Sequence, residues 1–197
     1  MSKRSSQRGF GLVEVMVALA IFLVAIVGGA ALLTTAKQTE FESYQRSLAT
    51  QIASAIVERV RVNTTNTASY NTGKDSPLTG GNQAAGTVCR GGTACTTAQL
   101  VNFDLWELDQ LLQGMQVTVD GGTPAAGLVS PNACIRFTPE TGLVNTGNVR
   151  VIVTWEDRRA TSDATKQEAE QSGTGSENSN PYRRHVILDT YVMDPTE

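Results

Sequence analysis

Residues 9–33 read GFGLVEVMVALAIFLVAIVGGAALL, and the placement of this stretch decides the fold. One charged side chain, Glu14, interrupts it, whereas the residues before it carry Lys3, Arg4 and Arg8. The uncharged run from Val15 to Leu33 covers about 28 Å as an α-helix at about 1.5 Å per residue, close to the hydrocarbon thickness of a bilayer. A segment of that length can cross a membrane. The basic head on its amino-terminal side puts residues 1–9 in the cytoplasm and the chain after Lys37 outside. Three plainer readings compete. A secretory signal peptide has a shorter apolar region. A permanent anchor accounts for the length but not for Glu14, because a carboxylate in an apolar span costs on the order of 2.5–3.5 kcal/mol. A buried helix of a soluble domain is seldom so long.

Helical patterning continues through FESYQRSLATQIASAIVERVRV, where Phe41, Tyr44, Leu48, Ile52, Ala55 and Ile56 recur at spacings of three and four. No proline falls between residues 10 and 62, so a single helix of about 53 residues and about 80 Å is expected. Its first part, 10–35, is apolar all round, and its second, 36–62, is amphipathic. The stripe lasts only about two heptads, too few for a coiled coil, so it is expected to dock on a headgroup formed by residues 63–197. Gly28-Gly29 is either a point of local melting or a pair of small residues for close packing.

The headgroup begins with a long polar loop, 63–96, more than half of it Thr, Gly, Asn and Ser. Cys89 and Cys95 lie in this loop, and an exported location permits disulfides. Three single pairings with Cys134 are open. Cys89–Cys95, closing a small Arg90-to-Ala94 loop, is favoured, and Cys95–Cys134 is the runner-up. Thr96 to Gln99 reads as a capping box, followed by Val101, Leu105, Leu108 and Leu112 at helical spacing and by Gly114 as the stop. Phe103 and Trp106 are read as packing aromatics on this second helix. Alternation then marks strands at Met115, Val117 and Val119, at Ala133, Ile135 and Phe137, and at Val149, Val151, Val153 and Trp155. A last strand places Val186, Leu188, Thr190 and Val192 on one face and pairs with 149–155 across an exposed loop, 157–181.

Composition narrows the chemistry. The 197 residues carry 16 basic and 19 acidic side chains, a net charge of −3, so nucleic acid is an unlikely partner. A thin basis for DNA binding remains in Arg158, Arg159, Arg183 and Arg184. His185 is the only histidine and has no partners at catalytic or metal-ligand spacing. Asp120-Gly-Gly-Thr and the acidic residues of 156–177 lack the spacing of a calcium loop, and no Gly-Lys-Ser/Thr follows Gly91-Gly92. No catalytic residues, metal site or cofactor are expected.

The string Arg8-Gly9-Phe10-Gly11-Leu12-Val13-Glu14 resembles the processing site of type IV pilins and type II secretion pseudopilins: a short basic leader, Gly, Phe, a Glu at the fifth mature position, then an apolar helix. The resemblance implies cleavage of leader 1–9 by a prepilin peptidase between Gly9 and Phe10, N-methylation of Phe10, storage in the bacterial inner membrane, and later assembly at the cell surface. Glu14, unpartnered in its own segment, then recruits and registers the subunit against a neighbour's new amino terminus. The headgroup order, with Cys95 before Asp104-Leu105-Trp106, Cys134-Ile135 and Val151 to Trp155, resembles minor pilins of the PilV type. The long insertion between Trp155 and His185 departs from that pattern. Implied are an α+β, pilin-like ladle, a long helix packed on an antiparallel sheet with a second short helix, and a structural subunit that primes a type IV pilus or sits at its tip. Its partners would be other minor pilins, the major pilin and an inner-membrane assembly platform. A minor pseudopilin, or an adhesin or DNA-uptake receptor on a pilin stalk, are the alternatives.

Overall fold

The computed structural model describes residues 11–73, 76–91, 94–115, 118, 119, 122–124, 126–160 and 180–196. Two units divide the chain between Phe41 and Glu42. One helix, α1, runs Leu12–Val62, within two residues of the span expected from the missing prolines. In the first unit its apolar side chains are bare: Leu12, Met16, Phe22 and Leu32 are all exposed. A helix apolar on every side and covered on none is long and apolar enough to cross a membrane. Beyond it, Thr34 and Thr35 donate their hydroxyls to the carbonyls of Ala30 and Ala31, one turn back. Polar hydroxyls are thereby satisfied inside the helix, as apolar surroundings demand. The Lys37–Glu40 ion pair comes next at 2.8 Å, fully exposed.

The second unit is built on the other part of α1. Its buried face comprises Gln45, Ala49, Ile52, Ala53, Ile56, Val57 and Val60. This corrects the stripe drawn from sequence: Ile52 and Ile56 lie on it, but Tyr44 is exposed and Leu48 and Ala55 only half-buried. The stripe is rotated toward Ala49 and Ala53, which have no exposure, and it takes in Gln45. Its amide donates to Gly127 O (3.2 Å) and accepts from Val129 N–H (3.1 Å), so a polar side chain is buried with both ends paired.

A second helix, α2 (Thr97–Gln113), starts at the expected capping box, with Thr96 and Gln99 exchanging side-chain and backbone bonds. It stops at Gly114 in the left-handed region (φ 74°), where a Cβ would lie 2.2 Å from the backbone nitrogen of Gly127. That close crossing diverts the chain away from the main sheet. The strand expected over 115–119 is accordingly reduced to β1 (Thr118–Val119). It pairs with β2 (Thr123–Pro124) in a separate two-stranded sheet, with Met115 exposed and Val117 outside the described residues.

The main sheet is antiparallel with order β3 (Asn132–Pro139), β4 (Gly147–Glu156), β5 (Arg183–Val192). The register sets Ala133, Val153 and Val186 in one row and Ile135, Val151 and Leu188 in the next, so the three alternating stretches share a core face. Trp155, Phe137, Val149 and Val192 complete it against α1, Leu108 and Leu112. The pairing of β5 with β4 holds despite the long insertion between them. Of that insertion, residues 161–179 lie outside the described residues; Asp157 at its start is buried, not exposed as expected.

The polar segment after α1 is also more than a loop. Thr64–Tyr70 forms a 3-10 helix, and Tyr70 and Leu78 are fully buried. Leu78 and Ala133 exchange backbone bonds at 2.9 and 2.8 Å, while Gly73 N–H reaches Ile135 O at 3.1 Å. This segment therefore covers the free edge of β3 and satisfies its amides. It is fastened at its far side by Asp109 of α2, whose carboxylate accepts from the backbone N–H groups of Gly80, Gly81 and Gln83 at 2.7, 2.6 and 3.0 Å. Asp109→Asn is expected to destabilise the second unit by about 2–3 kcal/mol, because hydrogen bonds to a charged acceptor contribute about 1.5–3 kcal/mol and the replacement amide turns a donor toward donors. Urea unfolding followed by tryptophan fluorescence measures the loss.

Candidate functional site

The amino-terminal end of α1 is the first candidate. Glu14 stands in its first turn, and its N–H bonds Gly11 O at 3.0 Å. Around it Leu12, Val13, Val15, Met16 and Val17 are exposed. Among the described residues no cation pairs with the Glu14 carboxylate. A helix N-terminus favours an anion, but an apolar surrounding demands a compensating positive group as well. The arrangement can hold one cation and bury a rod of apolar side chains. Gly9 and Phe10, the expected cleavage and methylation positions, lie outside the described residues.

The second candidate is a polar cluster between α1 and α2 that sequence reasoning did not find. Arg59 of α1 places one guanidinium nitrogen 2.6 Å from both Asp104 and Glu107 of α2, which sit one turn apart. The Tyr70 hydroxyl donates to the second Asp104 oxygen at 2.5 Å, and the Asn63 amide donates to Tyr70 and to Thr97 O. Arg90 approaches from the outside, paired with Glu107 and 5.6 Å from the Phe103 ring centroid. Both carboxylates are buried and Tyr70 has no exposure. Burial, then the bond to Asp104, pushes the Tyr70 hydroxyl well above the ordinary tyrosine range. Two guanidinium groups meet two carboxylates, so the cluster is charge-balanced and structural. Phe103 and Trp106 stack at 5.6 Å beside it, Phe103 buried and Trp106 half-buried.

Cys89 and Cys95 form the favoured disulfide, with Cα atoms 5.8 Å apart. Cys134 is free and buried in β3, its thiol pushed up to about 12 by burial. So protonated a thiol is a poor nucleophile and does not compete for the bridge. The arginines weighed for DNA are partly committed elsewhere. Arg183 donates to Ser130 O at 2.6 Å, and Arg184 pairs with buried Asp157 at 3.3 Å. His185 is half-buried in β5, and no group of three or more metal-ligating side chains occurs among the described residues. Asp120, weighed for calcium, lies outside them.

Comparison with known proteins matches these two regions in turn. The profile of the prokaryotic N-terminal methylation motif matches residues 4–30, the segment that contains Glu14 and the start of the bare helix. A second profile, type IV pilin Tt1218, matches residues 31–106, from the rest of α1 through Arg59 and the disulfide to Asp104. The two matches, side by side along the chain, support a type IV pilin. No curated protein and no solved structure matches the chain. The pilin family implies assembly with other pilins in a pilus and association with a membrane. The long helix, short second helix and three-stranded antiparallel sheet are the pilin-like α+β fold. The family is a structural one, built for assembly.

Removing Arg59 leaves two buried carboxylates with Arg90 alone. Arg59→Met should therefore cost about 2–4 kcal/mol, less than the about 3–5 kcal/mol of a fully buried broken pair because Arg59 is 30% exposed. Alkali provides a second check. Tyr70 stays protonated in the fold while the unfolded chain ionises near its ordinary value of 10.0, so its contribution is present below pH 10 and lost as pH rises beyond it. Stability measured from pH 8 to 12 should fall more steeply in the parent chain than in Tyr70→Phe.

Proposed function

We propose that the chain is a minor pilin of a bacterial type IV pilus, a structural subunit that primes assembly or occupies the filament tip. The observation that carries this reading is an apolar helix exposed from Leu12 to Leu33 with a Glu14 in its first turn that is unpaired among the described residues. A prepilin peptidase removes residues 1–9, and Phe10 becomes a methylated amino terminus. The single membrane span holds the subunit in the inner membrane with its amino terminus on the cytoplasmic side. On assembly the rod leaves lipid for a bundle of like helices, belonging to the major pilin and other minor pilins, at an inner-membrane platform. There the Glu14 carboxylate meets the amino terminus of an adjacent subunit, which relieves a penalty on the order of 2.5–3.5 kcal/mol. The minor, PilV-type role is supported by the headgroup string from Cys95 through Trp155. The chain acts as a scaffold, not a catalyst.

A minor pseudopilin of a type II secretion system has the same helix and the same processing, so the machine is decided by where the subunit is recovered. Mass spectrometry of sheared surface filaments should find the chain at low stoichiometry with an N-methylated Phe10. Recovery at an unmethylated residue beyond Gly29 would refute processing, and intact pili with lost protein secretion on deletion of the chain would assign it to the secretion machine. Glu14→Leu should remain in the membrane yet be depleted from filaments by tenfold or more; undiminished incorporation would sink the proposed role of the carboxylate.

A further inference from the structure

The residues between Gln83 and Thr96 make no backbone hydrogen bond to the rest of the chain among those described. They are held at two places. The Cys89–Cys95 bond fastens the segment to Cys95, which adjoins the Thr96 cap of α2, and Arg90 sits on Glu107 and near the Phe103 ring. Arg90 comes directly after Cys89, so the covalent tie sets where its guanidinium can reach. We propose that the Cys89–Cys95 disulfide is a redox-operated latch on the α1–α2 seam, holding Arg90 on Glu107 so that the buried cluster is charge-balanced only in the oxidised chain.

Charge and burial set the consequence of opening. A dithiol reductant opens the latch by two exchanges. Its first thiolate attacks one cysteine sulfur to give a mixed disulfide, and its second displaces the protein. Cys89 and Cys95 leave as thiols, the reductant becomes a cyclic disulfide, and two electrons and two protons pass to the protein. The segment is then an open chain, and the entropy of holding Arg90 over α2 is no longer paid in advance by the bridge. Glu107 keeps only Arg59, which must also serve Asp104, so one guanidinium faces two buried carboxylates. Repulsion and incomplete pairing loosen α2 from α1. A small-molecule disulfide reverses this by the same two exchanges, leaving as two thiols with the two electrons and two protons of Cys89 and Cys95, so the seam closes where the surroundings are oxidising and stays loose where they are reducing.

Amide hydrogen exchange on the full-length chain in detergent micelles tests the coupling, comparing oxidised protein with protein reduced by dithiothreitol. Exchange at Phe103 to Leu108 should rise about tenfold or more on reduction. Oxidised Arg90→Gln should already exchange at the raised rate, and reducing it should add less than twofold. The latch is overturned if reduction leaves α2 exchange unchanged, or if Arg90→Gln retains the parent's full response, since the bridge would then act without Arg90. Should the reduced parent unfold, the comparison of oxidised Arg90→Gln with oxidised parent decides alone: an unchanged rate refutes the latch.

Discussion

One face of α1, from Gln45 to Val60, is the wall against which the rest of the second unit is assembled. The three strands turn their apolar rows toward it, α2 packs its Leu108 and Leu112 into the same core, and the 3-10 helix adds Tyr70. Ala49 and Ala53, both without exposure, fill that face beside Ile52, Ile56 and Val60. The other end of the same helix obeys the opposite rule. Its side chains are bare in the single chain, so the burial that stabilises them has to come from lipid or from other helices. A single secondary-structure element thus serves two solvents, and Lys37 and Glu40 mark where its character changes.

The polar cluster at the α1–α2 seam adds direction to this packing. Apolar contact alone tolerates sliding and rotation, whereas one guanidinium gripped by carboxylates from consecutive turns has few acceptable settings. Its net contribution to stability is smaller than the count of bonds suggests, because two carboxylates had to leave water. Gln45 does the same service at the other end of the wall, where its amide selects the conformation of residues 127–129. Between them, these contacts fix how far α1 advances into the head.

What could be read in the sequence was whatever a local period writes. The length of α1, the Thr96 cap, the stop at Gly114 and the three alternating strands each depend on residues within one or two turns of one another. Glu14 was legible for a related reason, as one carboxylate in an otherwise uncharged run. What escaped was long-range pairing of polar groups. Gln45 looks like a solvent residue until its partners 82 and 84 positions away are known, and Arg59 finds its carboxylates 45 and 48 positions away. The segment 63–96 looked structureless because Tyr70 and Leu78 are isolated among polar residues, and no periodicity announces a single buried side chain. The 115–119 stretch erred the other way: its alternation is real, but the backbone crossing at Gly114 diverts it.

The loop clasped by Asp109 carries an implication for how this head can change. A carboxylate that binds main-chain amides reads no side chains, so the segment it holds is nearly free to vary in identity while its path is preserved. Gly80 and Gly81 are constrained by their left-handed backbone, where a Cβ would also press on the Gln113 side chain, and Leu78 and Asn82 by their own burial and bonds. Such a surface can drift quickly in composition at little cost to folding. That separates the part of the head whose composition can vary from the part that must stay the same.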